Sequence, residues 1–230
     1  MKLKDNLQMR TKACIFDLDG VLVDTAKYHF LAWKRLTEML KIKFTEKDNE
    51  RLKGVSRMAS LDIILEIGNV KLDDDLKEEY AGLKNKWYVD YISSMTPAEI
   101  LPGSLEFIRE LKGAGIKVAL GSASKNTPMI ISRVGMENLF DAVADGNIVS
   151  KAKPDPEVFL TAAKMLGVPP VNCVVFEDAA AGIEAAHNAG MLCVGIGSDK
   201  VLKKAGIVVS GLDKMSLNKL REIEKTSYHE

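Results

Sequence analysis

The sequence carries no excess charge of either sign: 32 lysines and arginines stand against 32 aspartates and glutamates. A neutral balance offers no overall field to draw in nucleic acid or an anionic membrane, although a local basic site is compatible with it. Cysteine is scarce, and its count of three is odd. Cys14, Cys173 and Cys193 each lie inside an apolar run, so they read as buried thiols in a reducing compartment and not as a disulfide framework or a metal cluster. Long apolar runs are missing too. No window approaches the roughly 18 apolar residues that span a bilayer. Residues 1–10 hold charge but no apolar stretch of the signal-peptide kind. There is no internal repeat and no low-complexity segment. The expectation is a soluble, cytoplasmic chain with neither nucleic acid nor membrane as partner.

What is present is ample apolar residue for a core, 47% of 230 residues, enough for one domain or one domain with an insertion. The chain is organised around Ala13-Cys14-Ile15-Phe16-Asp17-Leu18-Asp19-Gly20. An apolar run ending in two aspartates and a glycine reads as a buried strand that delivers carboxylates to the loop at its carboxyl end. Ligands bind at that edge of open α/β sheets. Side chains alternate along extended chain, so Asp17 and Asp19 can point the same way, one to act on a substrate and the other to handle its proton. Two such close carboxylates repel, and a divalent cation would relieve the repulsion. A strand ending in a polar turn has the same letters.

Residues 26 to about 95 show apolar spacing of the helical kind, among them Phe30, Trp33, Leu36, Leu61, Ile64, Leu65, Trp87 and Ile92, with no strand-like alternation. From Pro97 onward strands and helices alternate. Helices are expected near 105–111, 130–134, 158–166, 179–189 and 217–223, and strands at 116–121, 142–144, 173–176, 192–196 and 207–209. Such alternation predicts an α/β fold, a doubly wound parallel sheet with right-handed crossovers, split by an inserted helical cap. The expected division is a Rossmann-like core of residues 1–24 and 96–230 with a cap of residues 25–95.

Parallel strands align their carboxyl ends, so chemistry-bearing residues there should meet Asp17. Ser122 follows one strand, where a hydroxyl and nearby amides suit a phosphoryl oxygen, and where a helix cap or turn also suits serine. Lys153, held before Pro154, can supply fixed positive charge; a solvated loop lysine is the plain alternative. Glu177 and Asp178 end another strand. With Asp17 they would form an oxygen-rich site suited to magnesium, or they could simply complement a helix dipole.

Asp17-Leu18-Asp19-Gly20, three apolar residues and Asp24-Thr25 resemble the nucleophile motif of the haloacid dehalogenase-like superfamily, and Ser122, Lys153 and Glu177-Asp178 match its other three motifs in order. The resemblance implies that Asp17 takes a phosphoryl group as an acyl phosphate and Asp19 is general acid and base. It also implies that Lys153 balances charge, and that Asp17, Asp19 through its backbone carbonyl, Glu177 and Asp178 anchor Mg2+. Ala179 departs from it, since many relatives have serine there.

The cap region adds three segments. His29 and Trp33 share one helix face after Thr25, a spacing more often found in packing residues. Lys53-Gly54-Val55-Ser56-Arg57, with Ser60, joins a glycine that permits close backbone approach to a guanidinium fork suited to phosphate. Lys84 is a second cation, and Ser122-Ala123-Ser124-Lys125-Asn126 offers hydroxyls, an amine and an amide beside the proposed phosphate site. Together these segments resemble the β-phosphoglucomutase family within that superfamily. The resemblance implies sugar phosphates as partners: β-glucose 1-phosphate, glucose 6-phosphate and the β-glucose 1,6-bisphosphate between them. Thr25, His29, Trp33, Gly54, Val55, Ser56, Arg57, Ser60, Lys84, Ser124, Lys125 and Asn126 would hold the sugar phosphate. A sugar-phosphate phosphatase on the same core is the alternative. Both halves of the site lie in one chain, so a monomer is expected, with hinges near Val23–Thr25 and Ser94–Glu99.

Overall fold

The computed structural model describes residues 9–227, so the signal-peptide reading of residues 1–8 lies outside the described residues. Six parallel strands form one sheet in the order β3-β2-β1-β4-β5-β6. They are β1 (Ala13–Phe16), β2 (Lys117–Gly121), β3 (Ala142–Ala144), β4 (Cys173–Glu177), β5 (Leu192–Ile196) and β6 (Ile207–Val209). Each lies within a residue or so of the strand expected from the sequence. β1 is flanked by β2 on one side and β4 on the other, so the direction of winding reverses at β1. A crevice opens at the carboxyl ends of strands at such a reversal, and Asp17 and Glu177 stand there.

The central strands β1 and β4 are buried on both faces, and alternation assigns the faces. Cys14, Phe16, Val118, Leu120, Val174 and Phe176 join one apolar cluster, whereas Ala13, Ile15, Ala119, Cys173 and Val175 join the other. Helix α5 (Ser104–Gly113) packs on the first face through Phe107 and Ile108. Phe16, Phe107 and Phe176 meet there, with Phe16 stacked on Phe176 at 4.7 Å and Phe107 edge-on to Phe16 at 6.1 Å. Aromatic contacts of this kind add about 0.5–1.5 kcal/mol each beyond the area they bury, which stiffens the strand ends just below the crevice. The second face is covered by α7 (Glu157–Leu166) and α8 (Ala180–Asn188). Earlier in sequence α6 (Thr127–Arg133) follows β2, and α9 (Leu217–Ser227) ends the described chain.

Between β1 and α5 lie four helices, α1 (Ala26–Met39), α2 (Glu46–Asn49), α3 (Arg57–Gly68) and α4 (Asp74–Ile92), and no strand. α1 packs along α4 and α3 against α4, burying Leu36, Leu61, Ile64, Tyr88 and Ile92. Ser56 and Asp73 cap α3 and α4 through their side-chain oxygens, at 3.2 Å and 2.9 Å. The chain enters and leaves this module side by side. Asp24 N donates to Glu99 O at 2.9 Å, Leu101 N donates to Leu22 O at 2.9 Å, and Val23 bridges Ile100. Among the described residues no helix is long and apolar enough to cross a membrane.

Candidate active site

Asp17 follows β1 directly, and its carboxylate accepts a hydrogen bond from Lys153 Nζ at 2.5 Å. The same ammonium donates to Glu177 Oε2 at 2.8 Å, and all three side chains are almost fully buried. Glu177 Oε1 accepts from Ala179 N at 3.1 Å, a backbone bond that holds the carboxylate without any side-chain hydroxyl at residue 179. Asp17, Glu177 and Asp178 each bring a carboxylate oxygen to within 4.8 Å of the others. An all-oxygen set gathered this closely is the chemistry that magnesium prefers. The residues present therefore fit the metal. Asp19 contributes no carboxylate to this cluster, which leaves its side chain for other work.

Burial outweighs compensation in the titration of these groups. Burial first and the nearby Asp17 second hold Glu177 up at about 8 and Asp178 at about 7. The same two causes lift Asp19 to about 6, against the hydrogen bond from Thr25. Thr25 stands at the N-cap of α1, yet its hydroxyl caps nothing and instead donates to Asp19. A capping bond is worth about 1 kcal/mol to a helix. The alternative use of the hydroxyl orients the second aspartate.

Over these groups lies a cavity of about 720 Å³, closed above by the helical module. Asp17, Asp19, Ser122, Lys153 and Asp178 line its floor, and His29, Trp33, Gly54, Val55, Ser56, Arg57, Ser60 and Lys84 its roof, with Ser124, Lys125 and Asn126 at one side. Of the residues expected from the sequence, only Thr25 and Glu177 are outside the lining, each one layer behind it. The roof comes down closely: Gly54 has φ +72°, and a Cβ on it would lie 2.8 Å from the Ala179 Cβ. Side chains other than glycine disfavour that φ, so backbone conformation and contact both require glycine here.

Lys84, on α4, is only 2% exposed. Its ammonium is 3.1 Å from His29 Nδ1 and 4.6 Å and 4.7 Å from the ring centres of Trp33 and Tyr88. Burial, with Arg57 adding repulsion, brings Lys84 down to about 7. Burial, then Lys84 and Arg57, hold His29 well below its usual range, so the imidazole is neutral and its Nδ1 accepts. Arg57 begins α3, where the helix dipole disfavours a cation, and among the described residues it has no carboxylate partner. The roof thus carries cations facing one another without an anion between them.

The sequence pattern marks Tyr88 only as an apolar position of the helical module and gives Asn85 no role. Asn126 Nδ2 donates to Asn85 Oδ1 at 3.0 Å, joining floor and roof, and the Tyr88 ring packs tilted against His29, with ring centres 4.1 Å apart. Tyr88 sits one helical turn after Lys84, a spacing that would have found it; no local signal marks Asn85.

A profile of the haloacid dehalogenase-like hydrolase family matches residues 11–190, which include every element of the floor. The chain belongs to that family. Within it, the chain is 45% identical to the β-phosphoglucomutase of Bacillus subtilis, over 92% of this chain and 94% of that one. It is 31% identical to the phosphorylated carbohydrates phosphatase of Thermotoga maritima, over 92% and 99%. The solved β-phosphoglucomutase from Clostridium difficile superposes with a TM-score of 0.90 at 42% identity, covering 96% of this chain and all of that one. Family membership and the superposition both extend over the helical module, so roof and floor are inherited together.

Proposed function

We propose that the protein is a magnesium-dependent β-phosphoglucomutase that interconverts β-glucose 1-phosphate and glucose 6-phosphate. The observation that carries this reading is one cavity with two sets of phosphate-holding groups. Its lining joins Asp17, Ser122 and Lys153 to Arg57 and Lys84, which among the described residues have no carboxylate partner, and to Ser124, Lys125 and Asn126. A group that only releases phosphate to water has one phosphate to hold, whereas a sugar bisphosphate turned end for end needs both ends gripped. The 45% identity to a mutase against 31% to a phosphatase points the same way.

In this reading Asp17, already phosphorylated, faces the C6 hydroxyl of β-glucose 1-phosphate. Asp19, held by Thr25, takes the hydroxyl proton as the oxygen attacks phosphorus and the bond to Asp17 breaks. The bisphosphate then turns over. Its C1 phosphoryl group passes to Asp17, and Asp19 returns the proton to the departing C1 oxygen. Acid and base assistance of this kind contributes about 10²–10⁴-fold. Lys153 donates to the attacked carboxylate and opposes the negative charge collected there, and the Ser122 hydroxyl faces the phosphoryl oxygens. Bound magnesium, held by Asp17, Glu177, Asp178 and the Asp19 carbonyl, supplies further positive charge to the phosphoryl oxygens.

Residues 25–95 act as a lid in this scheme, hinged where Val23–Thr25 and Ser94–Glu99 run side by side. With the lid down, Gly54 against Ala179 and Asn85 on Asn126 exclude water, so the acyl phosphate reaches a sugar hydroxyl before it hydrolyses. Both halves of the site come from one chain, which is why a monomer suffices. Incubation with magnesium, β-glucose 1-phosphate and a trace of the bisphosphate tests the proposal. Glucose 6-phosphate is the expected product; glucose and free phosphate would establish a phosphatase instead.

A further inference from the structure

The loop after β3, Asp145-Gly146-Asn147, belongs to none of the family motifs, and it lies against the Ser124–Asn126 segment at several points. Gly146 N donates to Ser124 O at 3.2 Å, and Asn147 Nδ2 donates to Lys125 O at 3.1 Å. Two successive peptide carbonyls are therefore tied back toward β3. The Thr127 hydroxyl, donating to Ser124 O at 2.9 Å, holds the first of them from the other side. Asn147 is itself fixed by the buried Asp145, which accepts from Asn147 N at 2.8 Å and from Asn147 Nδ2 at 3.2 Å. Packing at Gly146 leaves no slack. A Cβ there would collide with Ala123 O and lie 2.8 Å from Lys125 N, so the two backbones touch where a side chain would separate them.

We infer that Asp145-Gly146-Asn147 is a positioning brace, which by pinning the Ser124 and Lys125 carbonyls aims Ser124, Lys125 and Asn126 at the phosphate that is not reacting. The physical reason is peptide planarity. A carbonyl fixed on one side of a plane fixes the direction of the adjoining N–H and, through it, of the following side chain. Ser124, Lys125 and Asn126 sit on a loop between β2 and α6, where the chain alone would leave their directions loose, and grip on a bisphosphate depends on those directions. Asn147 itself does not line the cavity. Its effect on the ligand is indirect.

The inference rests on the two-phosphate reading above, and the experiment separates the two. Wild type, Asn147→Ala, Asn147→Asp and Gly146→Ala are compared with β-glucose 1,6-bisphosphate and with acetyl phosphate, an acyl phosphate without a second phosphate. Loss of two partly exposed hydrogen bonds should raise KM for the bisphosphate about three- to tenfold in Asn147→Ala, with kcat within about twofold. Asn147→Asp keeps the shape but loses the donor and repels Asp145, so its KM should rise at least as far. Gly146→Ala should exceed both, and if it fails to fold the two Asn147 variants still decide. Use of acetyl phosphate should change by less than about twofold in the Asn147 variants. A bisphosphate KM unchanged in both Asn147 variants, or equal losses with the two substrates, overturns the brace. If wild type proves to release phosphate and forms no glucose 6-phosphate, the mutase reading fails, while the KM shift for the bisphosphate still reads the brace.

Discussion

Replacing Lys153 by methionine strips the one ammonium from between Asp17 and Glu177, at 2.5 Å and 2.8 Å, and keeps most of the side chain that packs near Phe159. Little cavity forms, so the loss is electrostatic. Removing one partner of a buried ion pair costs about 3–5 kcal/mol, because the remaining charge stays buried and unpaired. For a chain of this length about 1 kcal/mol moves the thermal midpoint by roughly 2–4 °C, so the metal-free variant should melt about 6–20 °C below wild type. The deficit should depend on pH in a set direction. Glu177, at about 8, and Asp178, at about 7, are raised by burial and by Asp17 above their unfolded values of 4.5 and 3.8. Between those limits the folded state binds more protons than the unfolded one, so their contribution to stability is complete below about pH 4. It is lost as pH rises through about 7–8. Lys153 opposes this loss by favouring ionised Glu177. Its removal should therefore matter little near pH 5 and most near pH 8. Magnesium at about a hundred times its dissociation constant should restore about 2.7 kcal/mol by mass action. Scanning calorimetry with chelator and with magnesium, at pH 5 and pH 8, measures all of this. A metal-free shift under about 2 °C at pH 8, or one of equal size at both pH values, would refute the electrostatic account.

Three further outcomes are expected. Arg57→Ala should raise KM for the bisphosphate by about ten- to a hundredfold, the worth of a charge-assisted phosphate contact, and affect acetyl phosphate far less; parallel losses in steady-state assays would remove Arg57 from the distal phosphate. Gly54→Ala, with its Cβ 2.8 Å from that of Ala179 and a positive φ to maintain, should hold the lid ajar and raise the free phosphate released per glucose 6-phosphate formed. An unchanged ratio would mean that closure does not pass through that contact. The profile of kcat/KM should climb through about pH 6 as Asp19 gives up its proton and becomes a base, then fall above about 7 as Lys84 loses its charge. Lys84→Arg should carry the alkaline limb upward, and a profile flat across both values would contradict the assigned roles.

The parts of this molecule that could be read from the sequence are those that a parallel sheet brings together by rule. Ala13-Cys14-Ile15-Phe16 is an unbroken apolar run, the pattern of a strand covered on both faces, and the four side chains do divide between two apolar clusters. Once β1, β2 and β4 are parallel, the residues that follow them have nowhere to go but the same edge, so Asp17, Ser122 and Glu177 converge without knowledge of any loop. Lys153 was legible through its proline and its family motif, not through periodicity. What stayed hidden depends on contacts between elements. Thr25 reads as a sugar-binding residue, and only the entry angle of α1 turns its hydroxyl to Asp19. Asp145-Gly146-Asn147 reads as any polar turn after a short strand. Its bearing on Lys125 comes from the register of β2 with β3, which pairs Gly121 with Ala144 and so sets the two following loops side by side. Asn85 meets Asn126 because α4 and the β2 loop face each other across the cavity, a relation between distant segments that neither segment encodes alone. The floor of the cavity is thus a consequence of strand order, whereas the fit of the roof on the floor is settled residue by residue. Substitutions at Asn85, Gly54 and Asn147 should accordingly alter how a sugar phosphate is held and leave the aspartate chemistry beneath it in place.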